Sequence, residues 1–109
     1  MARKRIPQKV RKEISDYLAV LKSDGFKVSK VFLFGSFARG EQKRWSDIDL
    51  CIISSDFKRI KDYPLDYLWK KRADLPQTTR VEPIGYSPQD FIDEDPLVWE
   101  VKQTGVRVV

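Results

Sequence analysis

Gly35 and Ser36 are followed by Asp47, eleven residues past the serine, and by Asp49 two further on; here the sequence concentrates groups that do chemistry. A glycine at the end of an apolar run lets a ligand approach the backbone closely, and a helical turn starting there offers unpaired N–H groups and the positive end of a dipole. Ser36 adds a hydroxyl, and together these features suit phosphate oxygens. Asp47 and Asp49, two apart on an extended segment, leave the same face of a strand. Carboxylates so close repel unless a cation lies between them or one takes up a proton. Hard divalent cations such as Mg2+ prefer oxygen ligands and bridge carboxylates to substrate phosphates. Ile48 must point the other way, into the core, where it helps to hold the register. Taken singly, each half has an ordinary explanation: a serine-capped strand-to-helix turn, and a solvated strand edge. Their joint placement points to phosphoryl or nucleotidyl transfer.

The elements that must position these groups are legible around them. Val10, Ile14, Tyr17, Leu18 and Leu21 recur on one face, predicting a helix over 7–23 with Pro7 in its first turn and Gly25 as its left-handed stop. Residues 28–34 end in an unbroken apolar run, Val31-Phe32-Leu33-Phe34, which reads as a strand covered on both faces. Phe37-Ala38-Arg39 gives a short helical turn, and 47–53 a second strand. Leu65, Tyr67, Leu68 and Trp69 suggest a helix within 62–74, closed by Pro76. Residues 78–82 read as a third strand ended by Pro83, which cannot donate to a ladder. Ser87-Pro88 and Asp95-Pro96 are cap signals, the second opening a last helix up to Gly105 before a short strand over 106–109. The expected class is α/β (α+β), a small mixed β-sheet flanked by helices, in one domain spanning 1–109.

Composition narrows the chemistry further. The 109 residues suit one domain. Histidine is absent, which excludes Ser-His-Asp and Cys-His catalysis and His-ligated zinc. The lone cysteine, Cys51, excludes an internal disulfide, and its place in the second strand suggests packing rather than reactivity. No apolar run approaches membrane-spanning length, so a soluble, cytoplasmic protein is expected. Lys and Arg number 21 against 16 Asp and Glu, a net charge of +5 that favours phosphates or acidic partners without proving either. Six basic residues fall in the first twelve; residues 1–6 are expected to form a flexible basic terminus.

The segment GSFARGEQKRWSDIDL resembles the G-S, ten-residue spacer, D-x-D signature of the minimal nucleotidyltransferases, small members of the DNA polymerase β-like nucleotidyltransferase superfamily. The leading helix, the VFLFGSFARG strand and turn, and the closing EVKQTGVRVV extend the likeness over nearly the whole chain. The resemblance implies the polymerase β-like fold, ATP or another nucleoside triphosphate as substrate, and two Mg2+ ions. The implied reaction moves a nucleoside monophosphate to an acceptor hydroxyl and releases pyrophosphate. Carried over by position, Gly35 and Ser36 hold the β- and γ-phosphates, and Asp47 and Asp49 bind the metals. The family's third carboxylate, on a later strand, falls on Glu82 here, a departure from the commoner Asp; the rival for Glu82 is a surface residue paired with Arg80. The resemblance further implies a HEPN-domain partner protein, toward which such enzymes act as antitoxins by attaching AMP.

Arg39 and Arg44 lie between cradle and carboxylates, where a guanidinium reaches a triphosphate; surface ion pairing is the competing reading. Trp45 is a shield or a hinge, and Trp69 and Trp99 read as core before partner contact. Two rival functions remain: a non-catalytic binding or masking subunit of the same fold, and a basic nucleic-acid binder. The second lacks any helix-turn-helix, zinc or RNP signature and ranks last. Oligomerisation is left open.

Overall fold

The computed structural model describes residues 6–43 and 46–109. The basic stretch 1–5 and the candidates Arg44 and Trp45 lie outside the described residues.

Helix α1 (Gln8–Ser23) follows Pro7, and its apolar spacing buries Val10, Ile14, Tyr17 and Leu21. It ends where Gly25 takes φ +76°, as a glycine stop requires. Ile6, within the stretch expected to be a free terminus, is instead buried in the core. Strand β1 (Lys30–Phe34) runs into the four-residue helix α2 (Ser36–Arg39), then β2 (Ile48–Ile53) and a 3-10 turn at Ser55–Lys58. Helix α3 (Pro64–Arg72), strand β3 (Val81–Tyr86), helix α4 (Pro96–Thr104) and strand β4 (Val106–Arg107) complete the order.

The sheet is mixed, in order β3-β2-β1-β4. β1 lies antiparallel to β2 and to β4, whereas β2 and β3 are parallel. One face carries Val31, Leu33, Ile48, Leu50, Ile52 and Val81 into a cluster with Val10, Tyr17 and Leu21 of α1 and Leu68 of α3. The other carries Phe34, Cys51 and Ile53 against Val101 of α4. Ile48 therefore does point away from its flanking aspartates, into the larger cluster. The buried Tyr17 hydroxyl donates to the Leu68 carbonyl at 2.8 Å, joining α1 to α3 beneath the sheet.

Three further expectations need correction. The third strand does not end at Pro83; it runs on to Tyr86. β3 is an edge strand, and the Pro83 carbonyl accepts from the Trp69 indole at 3.2 Å, so the proline's missing donor falls on the outer side of the sheet. Ser87-Pro88 opens a turn closed by the Ser87 hydroxyl donating to Asp90, not a helix. Trp69 and Trp99 are not core residues: they are 38% and 54% exposed. α3 buries its neighbours Tyr67 and Leu68 instead.

Candidate active site

The two halves of the Gly-Ser and Asp-x-Asp pattern meet at one end of the sheet. β1 stops at Phe34, whose register partner on β2 is Asp49. Gly35 follows with φ +73° and ψ −147°, a conformation that L side chains rarely adopt. A methyl group placed on Gly35 would lie 2.2 Å from Oδ2 of Asp49. The glycine is thus required twice, by the turn and by the carboxylate pressed against it. α2 starts at Ser36, and the chain is folded back by Glu41 N–H donating to the Ser36 carbonyl at 2.9 Å. Its left-handed end at Gly40 leads into the loop whose Ser46 hydroxyl accepts from the Lys43 N–H at 2.7 Å, just before Asp47.

Parallel pairing sets the third acid. Asp49 and Glu82 are register partners across β2 and β3. The pairing begins where the Ile48 N–H donates to the Arg80 carbonyl at 2.8 Å. Asp47 precedes β2 and is exposed, while Asp49 and Glu82 are half-buried. The Glu82 carboxyl is hydrogen-bonded to Asp47. That bond, burial and the charges of Asp47 and Asp49 push Glu82 up to about 7, against a small opposing pull from Arg72. Burial first, then the Asp47 charge, raises Asp49 as well; Arg39 opposes this, and Glu100 on α4 adds to it. Sequence-predicted Asp47, Asp49, Glu82 and Gly35 are therefore brought together. Ser36 lies beside them in the turn, and Arg39 stands at the margin with its Nε donating to Glu41 at 2.9 Å.

Chemically this is a carboxylate cluster whose mutual repulsion strengthens the hold of Glu82 on a proton. Among the described residues no lysine or arginine forms an ion pair with Asp47, Asp49 or Glu82. Nor do the described residues hold three or more Asp, Glu, Cys or His side chains already closed around one point. Cys51 is fully buried two residues along β2, where burial and Asp95 push its thiol up to about 12, so it is a packing group. Arg72, Glu100 and the Glu13–Arg80 ion pair are parts of the neighbourhood that spacing did not reveal. Arg80 is held by Glu13, with Nη2 at 2.5 Å from Oε2, and the acids around Glu82 carry its charge balance with Arg72. Glu13 stands 67 positions from Arg80, a separation over which no local pattern carries a signal.

Known proteins resemble this chain in sequence and in fold. "Putative protein adenylyltransferase MJ1215" of Methanocaldococcus jannaschii is 38% identical over 60 residues, 55% of this chain and 57% of that protein. The match therefore spans little more than half the length of that relative. A crystal structure of a putative nucleotidyltransferase from Sulfolobus solfataricus superposes with a TM-score of 0.57 at 23% identity, covering 91% of this chain and 76% of that one. A toxin-antitoxin structure with AMP-PNP superposes with a TM-score of 0.59 at 22% identity, covering 90% and 71%. At such identities these two are likenesses of fold. Residues 8–104 match the model of the nucleotidyltransferase domain, from the first residue of α1 to the last of α4, and the chain belongs to that family.

Proposed function

We propose that this chain transfers a nucleoside monophosphate, AMP from ATP, to a hydroxyl on a partner protein. The observation that carries the proposal is the placement of Asp49 against the glycine turn and in register with Glu82, whose carboxyl lies beside that of Asp47. The donor set fits Mg2+: all oxygen, from two adjacent strands, and mutually repelling where a cation would relieve the repulsion. Asp47, Asp49 and Glu82 would hold the ions, two by the family resemblance. Such ions neutralise the triphosphate and favour the anionic form of the attacking oxygen.

The chain's own residues do the rest by positioning. Gly35 gives the β- and γ-phosphates room to approach the backbone, and the Ser36 hydroxyl supplies a donor there. Arg39, exposed beside Asp49, exchanges Glu41 for a phosphate oxygen when the triphosphate arrives. With a cation held there, Glu82 would be kept as the carboxylate, which would couple binding to pH. A HEPN-type toxin is the partner that the family resemblance suggests, with the chain acting as antitoxin, and the likeness to a toxin-antitoxin structure supports it.

The test is transfer of α-labelled AMP to proteins co-purifying from the native host, with Mg2+ present or chelated. Labelling that depends on the metal and is lost in Asp47→Asn and Asp49→Asn is the expected result. Equal labelling in those variants overturns the mechanism. Partner binding without labelling assigns the chain to the masking role instead.

A further inference from the structure

The two strands that carry the acids are fixed to each other by a group outside the site. Glu13, on α1, accepts from Arg80 three times: Oε1 from the backbone N–H at 3.1 Å, Oε2 from Nε at 3.1 Å and from Nη2 at 2.5 Å. Both side chains are about one quarter exposed (25% and 24%), so the pair is only partly screened. The Arg80 carbonyl accepts from the N–H of Ile48, the residue between Asp47 and Asp49. One position further, Val81 pairs with Ile48, and then Glu82 with Asp49. One peptide unit is thus tied to α1 through the Arg80 N–H, while the next, through the Arg80 carbonyl, is tied to the Asp-x-Asp strand.

Resting on the site reading above, we propose that Glu13 and Arg80 are positioning residues that set the depth of β3 against β2 and hence the spacing of the three carboxylates. The residues before β3, from Ala73 to Thr79, are turns and irregular chain, which leaves the entry to β3 dependent on side-chain anchors. Arg72 supplies another from α3, donating to the Val81 carbonyl at 2.6 Å and the Thr79 carbonyl at 3.1 Å. Glu13 differs in binding the backbone N–H of the residue whose carbonyl engages Ile48, so its loss is felt between the two aspartates. Partners beyond the ligating groups typically tune metal affinity about 10- to 100-fold by orienting the ligands.

The test uses the whole chain with Glu13→Ala, and Glu13→Gln should the alanine variant fail to fold. Two quantities are read: amide hydrogen exchange at Ile48, Ile52 and Leu33 without metal, and Mn2+ affinity by calorimetry, with Asp49→Asn as the blank. Expected are exchange at Ile48 faster by about tenfold with Ile52 and Leu33 unchanged, and a Mn2+ dissociation constant higher by about tenfold. Unchanged exchange at Ile48, or an equal rise at all three amides, overturns the proposal, because the pair is then absent from the register or merely structural. A wild-type chain that binds Mn2+ no better than its Glu13 variants overturns the proposal and leaves the site reading standing, provided Asp49→Asn binds less. A chain that binds no Mn2+ while Ile48 alone responds supports the clamp and overturns the metal reading of the site.

Discussion

Gly35 and Glu82 put the site reading at most risk at the scale of single residues. Gly35→Ala combines a disfavoured backbone with a Cβ 2.2 Å from the Asp49 carboxylate, and both cannot be relieved without moving that side chain. Stability should fall by about 1–3 kcal/mol, and transfer should fall by about 100-fold or more as Asp49 is displaced. Gly40→Ala is the control: it shares φ +73° but would meet nothing within 4 Å, so it should lose stability and keep activity. Glu82 sets the pH dependence. Its folded pKa of about 7 exceeds the ordinary 4.5, so the folded chain holds the extra proton and is favoured below that ordinary value. This stabilisation must be lost as pH rises from about 4.5 through 7, by under about 1 kcal/mol given solvent screening. Melting in chelator should show the decline, and Glu82→Gln should flatten it. Transfer should run the opposite way, rising through pH 7 as the carboxylate is freed for a cation. The Asp47–Asp49 pair is legible in spacing alone. Glu82 is less so, because its partnership with Asp49 depends on parallel pairing across the sheet, which no local pattern encodes.

At the scale of elements, legibility followed the signals that stay local. α1 could be read from five apolar positions and a stop glycine, and α4 from Asp95-Pro96. The end of β3 could not, because Pro83 terminates a central strand but is harmless on an outer edge, and strand order is a property of the whole sheet. Trp69 misled for a related reason: α3 packs on that edge, so Leu68 turns beneath the sheet and the indole reaches over it to the Pro83 carbonyl. The α4 cap offers a direct measurement. Asp95 accepts from the N–H groups of Leu97 at 2.9 Å and Val98 at 3.3 Å, and it is also hydrogen-bonded to the Tyr86 hydroxyl. Asp95→Ala should cost about 1–2 kcal/mol, seen as a lower denaturation midpoint, while Asp95→Asn, which caps as well, should recover most of it. Because α4 covers Cys51 and Ile53 and brings Glu100 toward Asp49, the alanine variant also tests whether the cap holds that helix against the site face.

At the scale of the molecule, a basic chain of net charge +5 brings three of its acids to one sheet end, where β2, β3 and the turn after β1 each give part of the site. The strands that would grip a metal-bound triphosphate are the same ones that carry the buried rows of both core clusters. A ligand gripping that end cannot stay bound through opening of the sheet, so binding should register as global stability. With MgATP at about 100 times its dissociation constant, linkage gives about 2.7 kcal/mol, or a rise in Tm of roughly 10 °C for a domain of this size. ATP with chelator should give a small fraction of that rise, because the carboxylates then face the triphosphate with no cation between them. Asp47→Asn and Asp49→Asn should respond little to MgATP. An equal rise with and without Mg2+ would place the triphosphate away from the acids, on the basic surface alone, and a rise that falls steeply with added salt would identify that contact as charge attraction.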